Sequence, residues 1–399
     1  MKAFVLHSFG PPRSLDLTDL DTPVPGEGEV LVRVHATSVN PYDWHLMRGE
    51  PRVARLMGTV GLRRPAVRVL GADIAGRVEA LGPGATGVAV GDEVYALTRG
   101  GGFAEYARVR VDELAPKPAG LTFEQAAAVP LAACTALAAL DDGAAVGPGR
   151  RVCVNGATGG VGTFAVQLAA VYGGRVTGVC GPHNAGLVRS LGAAEVIDYT
   201  RSDFTRGGAR FDLLVDIAGS RSAWACRRAL SPGGTLAAVG GPAGRWVQPA
   251  GHVLGAAALN AFVPQRMVAA DVFTPPRTAR RLRELAGLLA EGRIAPVIDR
   301  TYPFSEIPAA VAYQEAGHAG GGGAPPGARR PPPPGGAAAP RPVVSSWSGA
   351  PWAEGCRGRG RSCAAGAAWS AGCAAPGPAS TTPRTRGSRG WARPWGRRW

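Results

Sequence analysis

Short runs of apolar and β-branched residues, separated by glycine, proline and aspartate, fill the first 120 residues of the chain. This pattern is typical of strands, and it predicts them over Lys2–Leu6, Glu29–Ala36, Ile74–Leu81, Glu93–Leu97 and Ala104–Val109. Because these runs follow one another with turns between them, we expect a compact, mostly antiparallel β domain.

Beyond residue 120 the apolar positions follow a different spacing. Helices are predicted over Leu121–Leu140 and Pro276–Glu291, and residues 293–319 read as irregular strand and helix. Strand-like runs separated by helical segments lie between the two helices: Val152–Val154, Val176–Cys180, Glu195–Ile197, Leu213–Asp216, Thr235–Val239 and Met267–Val272. This alternation is typical of a doubly wound parallel sheet, so the sequence predicts a second domain of the α/β class.

A glycine-rich turn joins the first of these strands to the helix that follows it. Such a turn presents unpaired N–H groups at the positive end of a helix dipole, which favours a phosphate. The glycines are spaced G-x-x-G-x-x-G, and they suit a tight turn, close approach to a pyrophosphate, and helix–strand packing. The candidate cofactor-binding residues of this turn are Gly156, Ala157, Gly159, Gly160, Val161 and Gly162.

The net charge of +15 is concentrated at the C-terminus. Residues 320–399 hold 12 arginines and one acid, Glu354, which leaves only +4 for residues 1–319. The folded part therefore does not need a polyanionic partner. We expect residues 320–399 to be a disordered low-complexity tail of Arg, Pro, Gly and Trp. It is either the product of a frameshift in GC-rich DNA or a basic, aromatic arm for nucleic acid, and we favour the frameshift.

Cysteine usage and hydropathy give no sign of secretion or of a membrane. The seven cysteines form neither a C-x-x-C pair nor an even framework, and the start of the chain lacks a signal-peptide pattern. The longest apolar run, Ala126 to Leu140, is too short to span a bilayer. We therefore expect a cytoplasmic protein with no membrane partner.

Several further motifs occur in a fixed order along the chain. They are Val39-Asn40-Pro41-Tyr42-Asp43-Trp44, Gly71-Ala72-Asp73, Gly91-Asp92-Glu93-Val94, Gly102-Phe103-Ala104-Glu105-Tyr106 and Leu191-Gly192-Ala193. With the glycine turn, they make the chain similar to the zinc-independent, quinone-oxidoreductase-like (zeta-crystallin-like) branch of the medium-chain dehydrogenase/reductase superfamily. The likeness extends from residue 1 to about residue 319.

The resemblance implies two domains with the active site in the cleft between them. A GroES-like catalytic domain would span 1–122, completed by about 293–319, and a Rossmann NADP-binding domain would span 123–292. Members of the family normally end, just past Gly317-His318, with a basic residue and an apolar strand. Because this chain departs from the family there, we expect the last strand of the catalytic domain to be missing, which would leave an unpaired sheet edge.

The residues at the family's zinc positions argue against a metal. Zinc-dependent relatives carry Cys and His-Glu where this chain has Asn40 and Ala72-Asp73, and their lobe of four closely spaced cysteines is absent. We therefore expect no zinc, and we interpret Asp73 as structural. The remaining chemistry is hydride transfer, which the nicotinamide cofactor carries.

The choice of cofactor depends on the residues after strand Val176–Cys180. No acid follows this strand, and an acid there would repel a 2′-phosphate, so NADP(H) is favoured. By resemblance, the hydroxyl position of the family is Gly181 here, its basic position is His183 or Arg189, and its tyrosine is Tyr199.

The resemblance also suggests residues near the nicotinamide and the substrate. Thr135 would lie beside the nicotinamide, unless its hydroxyl bonds back within its own helix. The catalytic candidates Asn40, Tyr42 and Asp43 would face the substrate, but Asn40-Pro41 could instead form a turn and Asp43 could cap the next helix. The residues expected to shape the nicotinamide pocket through backbone contacts are Asp216, Gly219 and Gly240.

These observations favour an NADPH-dependent reductase of small quinones, enones or enals, and the family suggests a homo-oligomer, such as a dimer. Three alternatives remain open. One is a zinc-free alcohol dehydrogenase or carbonyl reductase, which would need Tyr42 or His45 as proton donor. Another is an NADPH-binding protein with little catalysis. The third, which we do not favour, is nucleic-acid binding through the tail.

Overall fold

The computed structural model describes residues 1–56, 60–141, 146–241, 246, 250–260, 263–270, 272–319 and 341–344. All of these residues belong to one compact unit. Residues 320–340 and 345–399 lie outside the described part, so the disorder expected of most of the tail stays a prediction. Among the described residues, no helix is both long and apolar enough to cross a membrane.

The N-terminal domain is built mainly on antiparallel strands, as predicted. Strands β1 (Lys2–Leu6) and β2 (Leu15–Asp19) form a separate antiparallel pair. The main sheet has seven strands in the order β14-β15-β3-β4-β5-β7, and β6 pairs with the remaining part of β3. Its members are β3 (Glu29–Val39), β4 (Asp73–Leu81), β5 (Glu93–Leu97), β6 (Tyr106–Arg110), β7 (Leu114–Pro116), β14 (Arg300–Thr301) and β15 (Arg341–Val344).

The expectation that the last strand of this domain is missing was wrong. Strand β15 lies between β3, to which it is parallel, and β14, to which it is antiparallel. Its register places Val343 opposite Ser38 and Val344 opposite Val39. The segment Arg341-Pro342-Val343-Val344 has the basic and β-branched character of the family's usual ending, and residues 320–340 connect it to the rest of the domain. The glycine-, proline- and arginine-rich residues on both sides of this short segment hide its strand pattern in the sequence.

The second domain contains a parallel sheet of six strands in the order β10-β9-β8-β11-β12-β13. The strands are β8 (Arg151–Asn155), β9 (Arg175–Cys180), β10 (Glu195–Asp198), β11 (Phe211–Asp216), β12 (Leu230–Ala238) and β13 (Arg266–Ala269). Every pair in this sheet is parallel, which confirms the predicted doubly wound sheet. Because the order reverses between β8 and β11, the carboxyl ends of these two strands form a ligand-binding crevice.

Ten α-helices lie in the described residues. They are α1 (Pro41–Arg48), α2 (Arg52–Leu56), α3 (Phe123–Ala127), α4 (Pro130–Asp141), α5 (Gly160–Val171), α6 (Ala185–Ser190), α7 (Ala223–Arg228), α8 (Ala250–Leu259), α9 (Pro275–Ala290) and α10 (Ile307–Ala319). The single helix predicted over Leu121–Leu140 is two helices, because Pro130 lacks an N–H and begins the second one. The irregular region predicted over 293–319 contains the full helix α10.

One hydrophobic core joins the two domains. Tyr95 and Leu97 of β5 belong to the same buried cluster as apolar residues of α4, α5 and α9. The Tyr95 hydroxyl donates a hydrogen bond to the carbonyl oxygen of Leu282 in α9. This shared core holds the carboxyl edge of the parallel sheet against the start of α1.

Candidate functional site

The glycine turn lies where the sequence predicts it, between β8 and α5. Gly156 has a φ of 90°, a conformation that residues with a side chain rarely adopt. A Cβ atom added to Gly162 would lie 2.0 Å from the carbonyl oxygen of Gly156, so the turn has no room for a side chain there. Gly159 precedes α5 as its N-cap, and no side chain caps the helix. The N-terminus of α5 is therefore suited to bind a phosphate.

A network of side chains organises the crevice beside this turn. Asn155 Nδ2 donates a 2.7 Å hydrogen bond to Asp216 Oδ1, which also accepts the backbone N–H of Gly219 at 3.0 Å. Asp216 is fully buried, and its Oδ2 lies 3.0 Å from Nε2 of His252 in α8. This hydrogen bond raises the pKa of His252. Asp216 thus contributes its carboxylate to this network in addition to backbone contacts, since its carbonyl oxygen accepts the Val239 N–H at 2.9 Å.

Two members of this network, Asn155 and His252, were not among the predicted site residues. Asn155 directly follows a predicted strand and precedes the glycine turn, a position that could have drawn attention to it. His252 lies in an alanine- and glycine-rich helix with no motif around it, so only the fold brings it to Asp216. Gly240 lies past the end of β12, where its backbone N–H donates to the carbonyl oxygen of Asp216 at 3.2 Å.

The residues proposed for a 2′-phosphate cluster after β9. A Cβ atom added to Gly181 would lie 3.5 Å from the Tyr199 hydroxyl oxygen, so Tyr199 lies directly against this position. His183 is exposed in the turn after Gly181, and Arg189 lies in the last turn of α6. Asp198, which is not among the predicted site residues, lies opposite Cys180 in the sheet. The hydrogen bond from the Thr200 hydroxyl lowers the pKa of Asp198, so this group of residues includes an acid as well as basic side chains.

On the catalytic-domain side, Asn40 is held by its neighbours. Its side-chain Nδ2 lies 2.9 Å from Ser38 Oγ and 2.9 Å from Asp73 Oδ2, and the residue is almost fully buried. The Ser38 hydroxyl also donates to Asp73 Oδ2. The amide nitrogen of Asn40 therefore donates to groups of the protein, so it is not placed to donate to a substrate carbonyl, and its side-chain oxygen can only accept a hydrogen bond.

Asp73 links the two domains. Its Oδ1 accepts the backbone N–H of Leu131 at 2.7 Å, so a carboxylate of the catalytic domain caps the first turn of α4. Burial raises the pKa of Asp73 to about 6, although the bonds from Ser38, Asn40 and Leu131 oppose that rise. These contacts agree with the structural role that we gave Asp73.

The other two catalytic candidates have different surroundings. Asp43 is fully buried, and its carboxylate accepts the backbone N–H groups of Asn40 at 2.8 Å and Gly71 at 2.9 Å. Burial raises the pKa of Asp43 to about 7. These contacts match the capping role considered as the alternative. Tyr42 is half-buried at the start of α1, and burial raises its pKa to about 12, which makes its phenol a weaker acid.

Thr135 lies in α4 with its hydroxyl bonded to the carbonyl oxygen of Leu131 at 2.6 Å. This bond within its own helix is the alternative considered for Thr135. The side chain is buried, so the helix backbone already satisfies its hydroxyl hydrogen.

The described residues do not fit a catalytic zinc. Among them, no group of three or more His, Cys, Asp or Glu side chains could hold a metal ion. At the positions of the family's zinc ligands, Asn40 donates to Asp73, and Asp73 also accepts from Ser38 and Leu131. A carboxylate with these protein donors and an amide are a poor match for zinc, which prefers thiolate and imidazole ligands.

Two protein families match this chain. The family described as alcohol dehydrogenase GroES-like domain matches residues 26–119, and the one described as zinc-binding dehydrogenase matches residues 191–321. The mouse protein named NAD(P)H oxidoreductase RTN4IP1, mitochondrial, is 33% identical over 352 residues, covering 80% of this chain and 87% of the mouse protein. The chloroplast envelope quinone oxidoreductase homolog of Arabidopsis thaliana is 31% identical over 333 residues, covering 80% of this chain and 96% of its own length.

Solved structures share the fold of both domains. The quinone oxidoreductase from Coxiella burnetii superposes with a TM-score of 0.67 at 28% identity, covering 80% of this chain and 96% of that structure. A mycobacterial protein complexed with NADPH superposes with a TM-score of 0.66 at 27% identity, covering 79% of this chain and 97% of its own. The sequence likeness and the shared fold thus extend over both domains.

Proposed function

This chain belongs to the quinone-oxidoreductase-like branch of the medium-chain dehydrogenase/reductase superfamily, and we propose that it transfers a hydride from NADPH to a conjugated carbonyl compound: a quinone, an enone or an enal. One observation carries this proposal. The uncapped N-terminus of α5 and the buried Asn155–Asp216 pair lie at the point where the strand order reverses, which is where such sheets bind a dinucleotide. Bound NADPH would supply the hydride.

The glycine turn supports the binding of a dinucleotide. Gly156 and Gly162 permit the close packing of this turn, because a side chain at Gly162 would collide with the Gly156 carbonyl oxygen, and the tight turn presents the uncapped N-terminus of α5 to a pyrophosphate. Asp216 holds the turn at Gly219 in place through a buried hydrogen bond, which costs no reorganisation when the cofactor binds. For the 2′-phosphate we propose Tyr199 with His183 or Arg189, because these side chains follow the ends of β9 and β10.

The raised pKa of Tyr42 favours a conjugated acceptor. A carbonyl reductase must hand a proton to the forming alkoxide, and a phenol with a pKa of about 12 does this poorly at neutral pH. The ring of His45, the other candidate donor, is stacked on Trp44 with the ring centroids 3.7 Å apart. An enolate or hydroquinone anion needs no such donor, because it can take its proton from water.

NADPH consumption by the purified full-length protein tests this function. With a chelator present, we expect NADPH oxidation with 1,4-naphthoquinone and with trans-2-hexenal, and none with hexanal, which lacks the conjugated double bond. Loss of turnover on adding the chelator would contradict the metal-free proposal. Faster turnover of hexanal than of hexenal would favour the carbonyl reductase, and tight NADPH binding with no turnover would favour the non-enzymatic alternative.

The kind of substrate, the oligomeric state and the location in the cell are predictions. A small-molecule substrate is consistent with the names of the relatives, and dimer formation is a prediction that the oligomeric state in solution would test. The cytoplasmic location also stays a prediction, because the mouse relative is named as mitochondrial. Nucleic-acid binding would require the tail. A chain that ends after residue 351 would therefore no longer bind nucleic acid.

A further inference from the structure

An aromatic contact joins the two domains beside the proposed cleft. The Tyr42 ring, at the start of α1, lies against the Phe273 ring with the centroids 5.0 Å apart and the planes tilted by 36°. Phe273 follows the carboxyl end of β13 and precedes α9. The pair therefore connects the sheet edge that binds a dinucleotide with the helix that begins next to Asn40.

An arginine holds Phe273 in place. The guanidinium of Arg99, which follows β5, lies 5.5 Å from the centroid of the Phe273 ring. Arg99 Nη2 also donates to the Phe273 carbonyl oxygen at 3.3 Å, and the Tyr42 hydroxyl lies 3.5 Å from the Arg99 carbonyl oxygen. Three segments far apart in the sequence thus meet at one aromatic surface, formed by Tyr42, Phe273 and Arg99, which we call the aromatic wall.

The aromatic wall lies next to the place where the acceptor is expected to bind. In the proposed reaction, an acceptor must lie between the nicotinamide at the carboxyl edge of the sheet and the start of α1. Because Phe273 follows β13 at that edge and Tyr42 begins α1, we expect the aromatic wall to form one side of this space. Flat aromatic rings gain affinity from offset stacking on such side chains, whereas a straight-chain enal has no ring to stack.

We propose that Phe273 is a specificity-determining residue that favours flat, ring-shaped quinones over straight-chain enals. The inference rests on the proposed function and deepens it by naming the substrate class. Tyr42 packs against Phe273 and completes the same surface, and Arg99 is a positioning residue that keeps Phe273 in the wall. The cation near the ring strengthens the attraction that holds this side chain against the catalytic domain.

The test compares Phe273→Leu with the unaltered full-length protein. Leucine keeps an apolar side chain at this position but removes the ring. We expect kcat/KM for 1,4-naphthoquinone to fall about tenfold, within the range measured for aromatic pairs, and kcat/KM for trans-2-hexenal to change by less than about twofold. We expect Phe273→Tyr to restore the preference for naphthoquinone, because it restores the ring.

Trp224→Leu serves as the matched control. Trp224 is a largely exposed aromatic side chain of α7 with the Arg227 guanidinium 4.9 Å from its ring centroid, so it makes the same kind of contact within one domain. This variant should keep the ratio of naphthoquinone to hexenal turnover. Arg99→Gln should lower that ratio about threefold, since Phe273 keeps its ring but loses its anchor.

A binding measurement separates this inference from the proposed function. Calorimetry on protein loaded with NADP⁺ measures the affinity for naphthoquinone without turnover, and we expect Phe273→Leu to weaken it about tenfold. An equal loss for both acceptors, or no loss for naphthoquinone, would overturn the inference even if the protein is an active reductase. If the unaltered protein turns over neither acceptor, the proposed function fails, and an unchanged naphthoquinone affinity in Phe273→Leu would overturn the inference as well.

Discussion

On the Rossmann side of the cleft, consecutive residues from Gly156 to Gly162 form the binding turn, mainly through backbone geometry. On the catalytic-domain side, Asn40 depends on Ser38 and Asp73, and Asp73 in turn depends on Leu131 of another domain. The first side needs residues that have no side chain, and the second needs polar side chains that meet only after folding. We therefore expect substitutions on the two sides to damage different properties, namely cofactor binding on one and stability and acceptor selection on the other.

The largest effect should be the loss of stability in Asp73→Ala. This change removes the acceptor of three buried hydrogen bonds, including the cap of α4, and each unsatisfied donor costs about 1–3 kcal/mol. We expect the free energy of unfolding to fall by about 3 kcal/mol or more, measured by urea denaturation. Asp19→Ala, which breaks an exposed ion pair with Lys2, should cost less than about 1 kcal/mol. Similar losses in both variants would contradict the role of Asp73.

Gly162→Ala, on the Rossmann side of the cleft, should weaken the binding of NADPH. Its Cβ would lie 2.0 Å from the Gly156 carbonyl oxygen, so the turn must shift away from the geometry that receives the pyrophosphate. We expect NADPH affinity, measured by calorimetry, to weaken about tenfold to a hundredfold. Gly186→Ala is the matched control, because a Cβ there has open space around it. An unchanged NADPH affinity in Gly162→Ala would show that the cofactor does not bind at this turn.

Gly181→Ser should strengthen the binding of NADPH. Gly181 has a φ of −76°, so serine fits without strain, and its Cβ would lie in ordinary contact with Tyr199. A hydroxyl there can donate to a 2′-phosphate, and we expect the KM for NADPH to fall about tenfold while that for NADH stays constant. Gly207→Ser is the control, because a Cβ at Gly207 has open space around it and makes no contact with Tyr199. Equal effects on both cofactors would exclude a 2′-phosphate at this site.

The smallest effect concerns pH and the His252–Asp216 pair. The pKa of His252 is raised in the folded protein, so the pair stabilises the fold fully below pH 6.5, and this contribution is lost as pH rises through the raised pKa. Asp43 and Asp73 also make the folded protein less stable as the pH rises above the ordinary carboxyl pKa of 3.8. Their pKa values in the folded protein are raised to about 7 and about 6, so the unfolded chain releases these protons more readily. The difference in Tm between the unaltered protein and His252→Gln therefore isolates the histidine.

We expect that Tm difference to be larger at pH 6 than at pH 9, with the charge of His252 contributing about 1 kcal/mol or less. A difference that does not vary with pH would mean that the charge of His252 adds nothing to its hydrogen bond with Asp216.

The same contrast explains how much the sequence could predict. The glycine turn and the alternating strands were predictable because local rules determine them: glycine adopts the φ of 90° at Gly156, and each strand directly precedes or follows its helix. His252 and Phe273 were not predictable, because their partners lie at residues 216 and 42 and no local pattern marks either side chain. Strand β15 was missed because a four-residue pattern is too short to stand out within a glycine- and proline-rich segment.

Deuterium transfer from NADPH distinguishes hydride addition to the conjugated double bond from hydride addition to the carbonyl carbon. The protein is supplied with NADPH labelled at C4 of the nicotinamide, trans-2-hexenal and a chelator, and the product is analysed by NMR. We expect hexanal with deuterium on the carbon that was β to the carbonyl group. Deuterium on the carbinol carbon of an unsaturated alcohol, or no transfer from either labelled face of the nicotinamide, would contradict it.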